Sequence, residues 1–251
     1  MEHQFKDYFS EDSDAYSRYR PDYPKALFSY LSTLTPCNDR AWDCATGSGQ
    51  SALALSKHFT EVIGTDASQN QIDHAIKKPG ITYQVETAEQ TSISSNSVDL
   101  ITVAQALHWF NINEFSNEVI RVLKPKGILA VWTYGLFDIN PDLNNIIHHL
   151  YSDTLDLYWP PERRIVERGY KDITFPLGEI TPPVFQMTVE WDLSQLLGYL
   201  CTWSAVKKYQ HKEGINPVEA LHEEISSLWG DPNGKRLIQW PLTLRTWVKN
   251  S

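Results

Sequence analysis

Strand-like and helix-like periodicities take turns between residues 25 and 133, and this alternation restricts the fold more than any other feature of the chain. Pro24 precedes a helical pattern over 25–33, with Leu27, Phe28 and Leu31 as its apolar positions. A short buried strand over 40–45 runs into Thr46-Gly47-Ser48-Gly49. The unit then repeats: helix over 51–59, strand over 61–65 ending in Asp66, helix over 69–77 stopping before Pro79-Gly80, strand over 81–86. Residues 98–103 form an apolar run of the kind a central parallel strand needs, since helices cover both of its faces. An amphipathic helix over 113–123 is closed by Lys124-Pro125-Lys126-Gly127, and 128–133 is the next buried strand. Such alternation predicts an α/β fold with a doubly wound, mostly parallel sheet and right-handed crossovers.

Beyond Tyr134 the texture changes. Residues 135–235 hold Tyr158-Trp159-Pro160-Pro161, Trp191, Trp203, Tyr209 and Trp229, with helical patterns near 142–157, 193–210 and 217–229. Two strand-like segments, 184–191 and 242–248, lie too far apart for a tight hairpin and are expected to form a terminal antiparallel pair interrupted by helices. The predicted organisation is a ligand-binding core with an N-terminal cap over 1–134, a helical lid with one sheet strand over 135–235, and a closing strand over 236–251.

A net charge of −9 and a pI near 5.3 set this field against a phosphate backbone, which disfavours a nucleic-acid substrate. The basic pairs Arg163-Arg164 and Lys207-Lys208 are short and read as solvated helix faces. No apolar run approaches the roughly 18 residues of a membrane span. The polar, acidic N-terminus fits neither a signal nor a transit peptide. Cys37, Cys44 and Cys201 form no C-x-x-C pair, so no disulfide scaffold and no metal site is expected, and a reducing cytoplasm is the simplest setting. Cys44 reads as a small buried strand residue. A monomer or a homodimer is expected.

The chemistry concentrates at Asp43-Cys44-Ala45-Thr46-Gly47-Ser48-Gly49, between a strand and a helix. Glycines there permit φ > 0 and close backbone approach to a ligand, and the following helix offers unpaired N–H groups. Ala45 and Ala52 stand where a G-x-G-x-x-G pattern would place its first and third glycines. About 20 residues on, Val62-Ile63-Gly64-Thr65-Asp66 puts a carboxylate at the next strand end, where it can accept from both hydroxyls of a ribose. A helix N-cap is the alternative role for Asp66.

These segments, with Ala67-Ser68, Ala88-Glu89, Val98-Asp99-Leu100 and Leu123-Lys124-Pro125-Lys126-Gly127, resemble in order the motifs of class I S-adenosylmethionine methyltransferases. Tyr19-Arg20-Pro21-Asp22-Tyr23-Pro24 and Ala104-Gln105-Ala106-Leu107-His108-Trp109-Phe110 are similar to the branch that contains trans-aconitate methyltransferase. The resemblance implies a Rossmann-like, seven-stranded sheet with an antiparallel last strand, S-adenosyl-L-methionine as cofactor, and a small-molecule acceptor, a carboxylate among the candidates. It places Asp43 and the loop Ala45, Thr46, Gly47 and Gly49 at the methionine part, Asp66 and Ala67 at the ribose, Gln71 against adenine, and Thr87, Ala88 and Glu89 in the adenine pocket. Ala104, Gln105 and Ala106 would close the methionine end, and Tyr19 and Arg20 would cap it. Thr87 stands where the family often has Asp.

A sulfonium donor is already activated, so the protein's main task is to align a nucleophile with the methyl group. A hydroxyl or amine acceptor is helped by a base, for which His108 is the candidate; a carboxylate needs none. Trp109, Trp159 and Trp203 are candidates for the acceptor pocket; Trp109 could equally pack in the core, and for Trp159 or Trp203 taken alone ordinary core packing is the readier explanation. Arg163, Arg164 and Arg168 could bind an acidic acceptor, though a solvated helix face is the readier explanation for them. A nicotinamide-dependent oxidoreductase explains the turn and Asp66 but not residues 104–110. A non-catalytic relative of the fold and a macromolecule methyltransferase are the other readings.

Overall fold

The computed structural model describes residues 19–250. The N-terminal stretch 1–18, on which the expectation of no leader peptide rests, lies outside the described residues. In chain order the elements are α1 (Lys25–Leu34), β1 (Arg40–Cys44), α2 (Gln50–Leu55), β2 (Glu61–Asp66), α3 (Gln69–His74), β3 (Ile81–Val85), β4 (Val98–Ala104), α4 (Ile112–Val122) and β5 (Leu123–Tyr134). They continue with α5 (Pro141–His149), α6 (Arg163–Glu167), β6 (Gly178–Ile180), β7 (Phe185–Trp191), α7 (Leu193–Cys201), α8 (Ser204–Glu213), α9 (Pro217–Ala220), α10 (His222–Trp229) and β8 (Arg236–Val248).

The sheet runs β3-β2-β1-β4-β5-β8, with β1 to β5 parallel and β8 antiparallel to β5. Seven positions cross it, as the family pattern implies, yet eight strands fill them. The outermost position is shared by β6, paired with Thr246 to Val248, and β7, paired with Arg236 to Leu242. Pro182 and Pro183 lie between them and cannot donate to a ladder, so one long strand is broken into two.

The expected antiparallel pair exists with a shifted register. Phe185 faces Leu242 and Trp191 faces Arg236, so β7 meets residues 236–242 rather than 242–248. The latter segment is already flanked by β5 and β6. The helical pattern over 193–210 resolves into α7 and α8, parting at Thr202 and the extended Trp203 (ψ 131°). The pattern over 142–157 ends in a wider π turn, Leu150–Thr154, and a short 3-10 turn, Asp156–Tyr158.

Side chains alternate across the central strands. On β5, Ile128, Ala130, Trp132 and Tyr134 join one apolar cluster with α1, α2, α5 and α7, whereas Leu129 and Val131 join another with α4 and Val166 of α6. This period of two, with both faces buried, accounts for the nearly unbroken apolar runs in the sequence. The first cluster passes without a break into the helices of the C-terminal half through Phe137, Trp191, Tyr199, Trp203 and Trp240. At the amino ends of the strands, buried Asp99 accepts from the Asp39 and Arg40 amides and pairs with Lys124 at 2.9 Å. Asp99 therefore anchors the sheet at the end away from the carboxyl-end loops. Among the described residues no helix is long and apolar enough to cross a membrane.

Candidate functional site

Strand order reverses between β1, which leads to β2 and β3, and β4, which leads to β5. Open α/β sheets bind ligands outside the carboxyl ends of the strands at such a point. Each of the two strands is followed by a non-glycine residue in the left-handed region, Ala45 (φ 53°) after β1 and Gln105 (φ 58°) after β4. Cys44 and Val103 are direct partners, so the two residues lie at neighbouring strand ends. Each costs about 1–3 kcal/mol that surrounding structure must supply, a cost that clusters at functional sites.

Asp43 is 1 % exposed. Thr46 Oγ1 donates to its Oδ2 at 2.6 Å and Thr102 Oγ1 to its Oδ1 at 2.7 Å. Burial pushes its carboxyl up to about 6 against the pull of those hydroxyls, and the Asp66 charge adds to the rise. Asp66, at the end of β2, accepts from the Gly47 and Ser68 amides, both at 2.9 Å. Ser68, and not Asp66, is the N-cap of α3, accepting from the Gln71 amide. Burial also drives the Cys44 thiol well up, and Asp43, Glu89 and Asp66 reinforce the effect. Three carboxylates thus bear on one crevice.

Gly47 (φ 54°) and Gly49 (φ 81°) take conformations that suit glycine. At Gly49 a Cβ would also run into the Tyr83 hydroxyl, which donates to the Ile76 carbonyl at 2.9 Å. On the loop after β3, Thr87 is exposed and Ala88 buried, while Glu89 accepts from the Asn111 amide at 2.9 Å and ties this loop to the start of α4. Across the crevice, Ala104 is half-buried and Ala106 buried. Gln105 Nε2 donates to the Tyr134 carbonyl at 3.1 Å, and its Oε1 accepts from Thr133 at 2.6 Å.

His108 lies in the 3-10 turn Leu107–Trp109. Its Nδ1 is 3.0 Å from the Tyr170 hydroxyl, and its ring centroid is 4.6 Å from that of Trp109. Burial pushes the imidazole down to about 3, with the Arg163 charge acting in the same direction, so His108 is neutral at physiological pH. At the rim, Arg20 donates to the Tyr134 hydroxyl at 3.2 Å and lies over the Tyr199 ring at 5.3 Å. The Tyr19 ring rests on Gly198 of α7.

The structure therefore brings Asp43, the 45–49 loop, Asp66 and the 104–108 segment to one end of the sheet. Trp203 is 5 % exposed and packs among Phe137, Tyr151 and Tyr199 as part of the core. The Trp159 ring packs against Tyr151, tilted by 40°, with centroids 4.9 Å apart. Arg163 departs from the solvated-face reading: its guanidinium lies 5.3 Å from the Tyr151 ring and 5.0 Å from that of Trp159, whereas exposed Arg168 pairs with Asp172. Thr102, Thr133, Tyr83 and Tyr170 escaped the sequence reading. Thr102 left a trace, a hydroxyl inside an apolar strand; Tyr170 left none.

A Rossmann-like sheet with an acidic crevice at its switch point defines a nucleoside-binding protein suited to a cationic ligand. The pattern of the methyltransferase domain matches residues 42–131. A protein of Dictyostelium discoideum named as a methyltransferase is 38 % identical over 205 residues, covering 80 % of this chain and 78 % of its own. An uncharacterised methyltransferase of Schizosaccharomyces pombe is 32 % identical over 49 % of this chain and 51 % of its own. The solved structure of a protein from Anaeromyxobacter dehalogenans, named as a type II methyltransferase, superposes with a TM-score of 0.88 at 36 % identity, over 92 % of this chain and 99 % of the other. The chain belongs to the class I S-adenosylmethionine-dependent methyltransferases, and S-adenosylmethionine is its cofactor. The donor set fits that group: carboxylates for a diol and for positive charge, beside a loop with no side chain at Gly47 or Gly49.

Proposed function

We propose that this enzyme methylates an oxygen atom of a small-molecule acceptor held between the strand ends and the aromatic helices of residues 135–235. The observation that carries the reading is a half-buried, neutral His108, in contact with Tyr170 and Trp109, three residues beyond the left-handed Gln105. In this reading Asp43 and the 45–49 loop face the methionine part of the cofactor, and Asp66 with Ala67 holds the ribose. Gln71, Thr87, Ala88 and Glu89 surround the adenine, Ala104 to Ala106 close the methionine end, and Tyr19 and Arg20 cover it. Trp109 and Trp159 shape the acceptor side, with Trp203 behind them.

Bound S-adenosylmethionine supplies a methyl group already activated on sulfur, which leaves as the neutral thioether. The residues of this chain position the acceptor and receive its proton. As the new C–O bond forms, a hydroxyl acceptor becomes a protonated ether, a far stronger acid than the imidazolium of His108. The proton therefore passes downhill to His108, and from there to water. A methylated ammonium is a much weaker acid than that imidazolium, so His108 gives an amine acceptor no such help. A carboxylate acceptor is the second reading. The likeness of residues 19–24 and 104–110 to the trans-aconitate methyltransferase branch favours it, and no base is then required.

The test is a screen for S-adenosylhomocysteine release with hydroxyl compounds, carboxylic acids and amines. Oxygen acceptors should turn over. With a hydroxyl acceptor, His108→Gln should cost roughly 10²–10⁴-fold in rate; with a carboxylate it should change little. Turnover confined to amines would overturn the reading.

A further inference from the structure

Three arginines lie close together in sequence and differ in what surrounds them. Arg164 is exposed, and Arg168 is exposed and paired with Asp172 at 2.7 Å. The Arg163 side chain keeps 23 % exposure and is clamped from two sides. Its Nε donates to the Tyr151 hydroxyl at 2.6 Å, and its guanidinium carbon lies 5.3 Å from the Tyr151 ring centroid and 5.0 Å from that of Trp159. The clamp is itself fixed: the Trp159 indole donates to the Tyr151 carbonyl at 3.0 Å, and the Tyr151 hydroxyl donates to Glu167. Aromatic rings packed on a guanidinium hold its plane and leave its outer edge free.

A guanidinium has five N–H donors, one of them on Nε. Among the described residues the four on Nη1 and Nη2 meet no hydrogen-bond acceptor, and the ion pair to Glu167 reaches Nε at 4.0 Å. This edge belongs to the His108 side of the site. Helix α6, which Arg163 opens, packs against the Leu107–Trp109 turn. The Tyr170 amide donates to the Ile165 carbonyl of α6 at 3.1 Å, and the Tyr170 hydroxyl is 3.0 Å from His108 Nδ1. The Arg163 charge acts on both His108 and Tyr170.

We infer that Arg163 is a specificity-determining residue whose Nη groups bind a carboxylate of the acceptor, distinct from the atom that takes the methyl group. The inference rests on the reading of a small-molecule acceptor beside His108 and extends it to an acceptor class, hydroxy acids. A planar fork matches a carboxylate through two parallel hydrogen bonds, which fixes orientation as well as charge. A carboxylate held in this way has its lone pairs and charge engaged and is a poor nucleophile, so the methyl group goes to another atom of the same molecule. In a chain of net charge −9, a clamped cation also offsets locally the field that opposes an anionic ligand.

The probes are hydroxybenzoic acids, short aliphatic hydroxy acids and amino acids, each beside its primary amide. They are titrated by calorimetry into the full chain saturated with S-adenosylhomocysteine, then assayed for turnover with S-adenosylmethionine. The wild type should bind members of the acid series and prefer each over its amide by roughly 10–100-fold, the worth of charge-assisted hydrogen bonds. Arg163→Gln should erase that preference with the affinity for S-adenosylhomocysteine unchanged, whereas a merely structural arginine would weaken acid and amide together. Arg163→Lys keeps the charge without the fork and should retain part of the preference; it decides the matter should the glutamine variant not bind S-adenosylhomocysteine. A wild type that binds none of the acids, amides bound as tightly as their acids, or an acid preference intact in both variants would overturn the inference. The two readings fail separately: turnover confined to amino acids, with an acid preference that depends on Arg163, would sink the oxygen acceptor alone.

Discussion

The Gly47 amide donates to the Asp66 carboxylate at 2.9 Å, tying the turn after β1 to the end of β2. The other oxygen of the same carboxylate accepts from the Ser68 amide, so one acid sets the geometry of two loops before any ligand arrives. Charge-assisted bonds of this kind are worth about 1.5–3 kcal/mol each. Removing the acid in Asp66→Ala should therefore raise the dissociation constant for S-adenosylhomocysteine by about 100-fold or more. Calorimetry checks this, and an unchanged constant would separate Asp66 from the cofactor.

Asp43 carries a stability cost at neutral pH. Its carboxyl is raised from 3.8 to about 6, so the native state holds a proton between those values that the unfolded chain has released. The sign follows: stability falls as pH rises through that window, and above it the penalty is complete, at about 3 kcal/mol. Asp43→Asn should therefore match or exceed wild-type stability at pH 7.5 in urea melts, lose that advantage at pH 4, and bind S-adenosylmethionine more weakly.

His108 works in the opposite sense. Its native value is depressed from 6.5 to about 3, so the unfolded chain gains a proton first as pH falls. Its neutral burial is harmless above pH 6.5 and costs stability progressively below it, about 2–3 kcal/mol by pH 4.5. His108→Gln should flatten the loss of stability between pH 7 and pH 4.5. Parallel pH dependences of the two proteins would show that this ring is not buried as a neutral group.

Gly49 and Gly214 separate conformational strain from crowding. Both have positive φ, 81° and 76°, but a Cβ at Gly214 meets open space and one at Gly49 meets the Tyr83 ring. Gly214→Ala should cost about 1 kcal/mol. Gly49→Ala should cost more, by roughly 1–3 kcal/mol of overpacking, and should impair cofactor binding. Equal losses in thermal melts would mean that Tyr83 does not close on the turn.

The parallel sheet, the turn at residues 45–49 and the acid at 66 were legible because each is a local pattern: apolar runs, glycine between strand and helix, a carboxylate at a strand end. The single sequence also carried the family, since the motifs occur in a fixed order along the chain. It did not carry the partners of those motifs. Thr102 lies 59 residues from Asp43 and Tyr170 lies 62 from His108, and no periodicity relates positions so far apart. Nor did it show that Pro182 and Pro183 would split a strand whose halves share one partner. Side-chain periodicity records which face of an element is buried, and that is decided locally. Which buried groups meet, which proton each one holds and whether an imidazole is charged depend on surroundings that exist only once the chain has closed on itself.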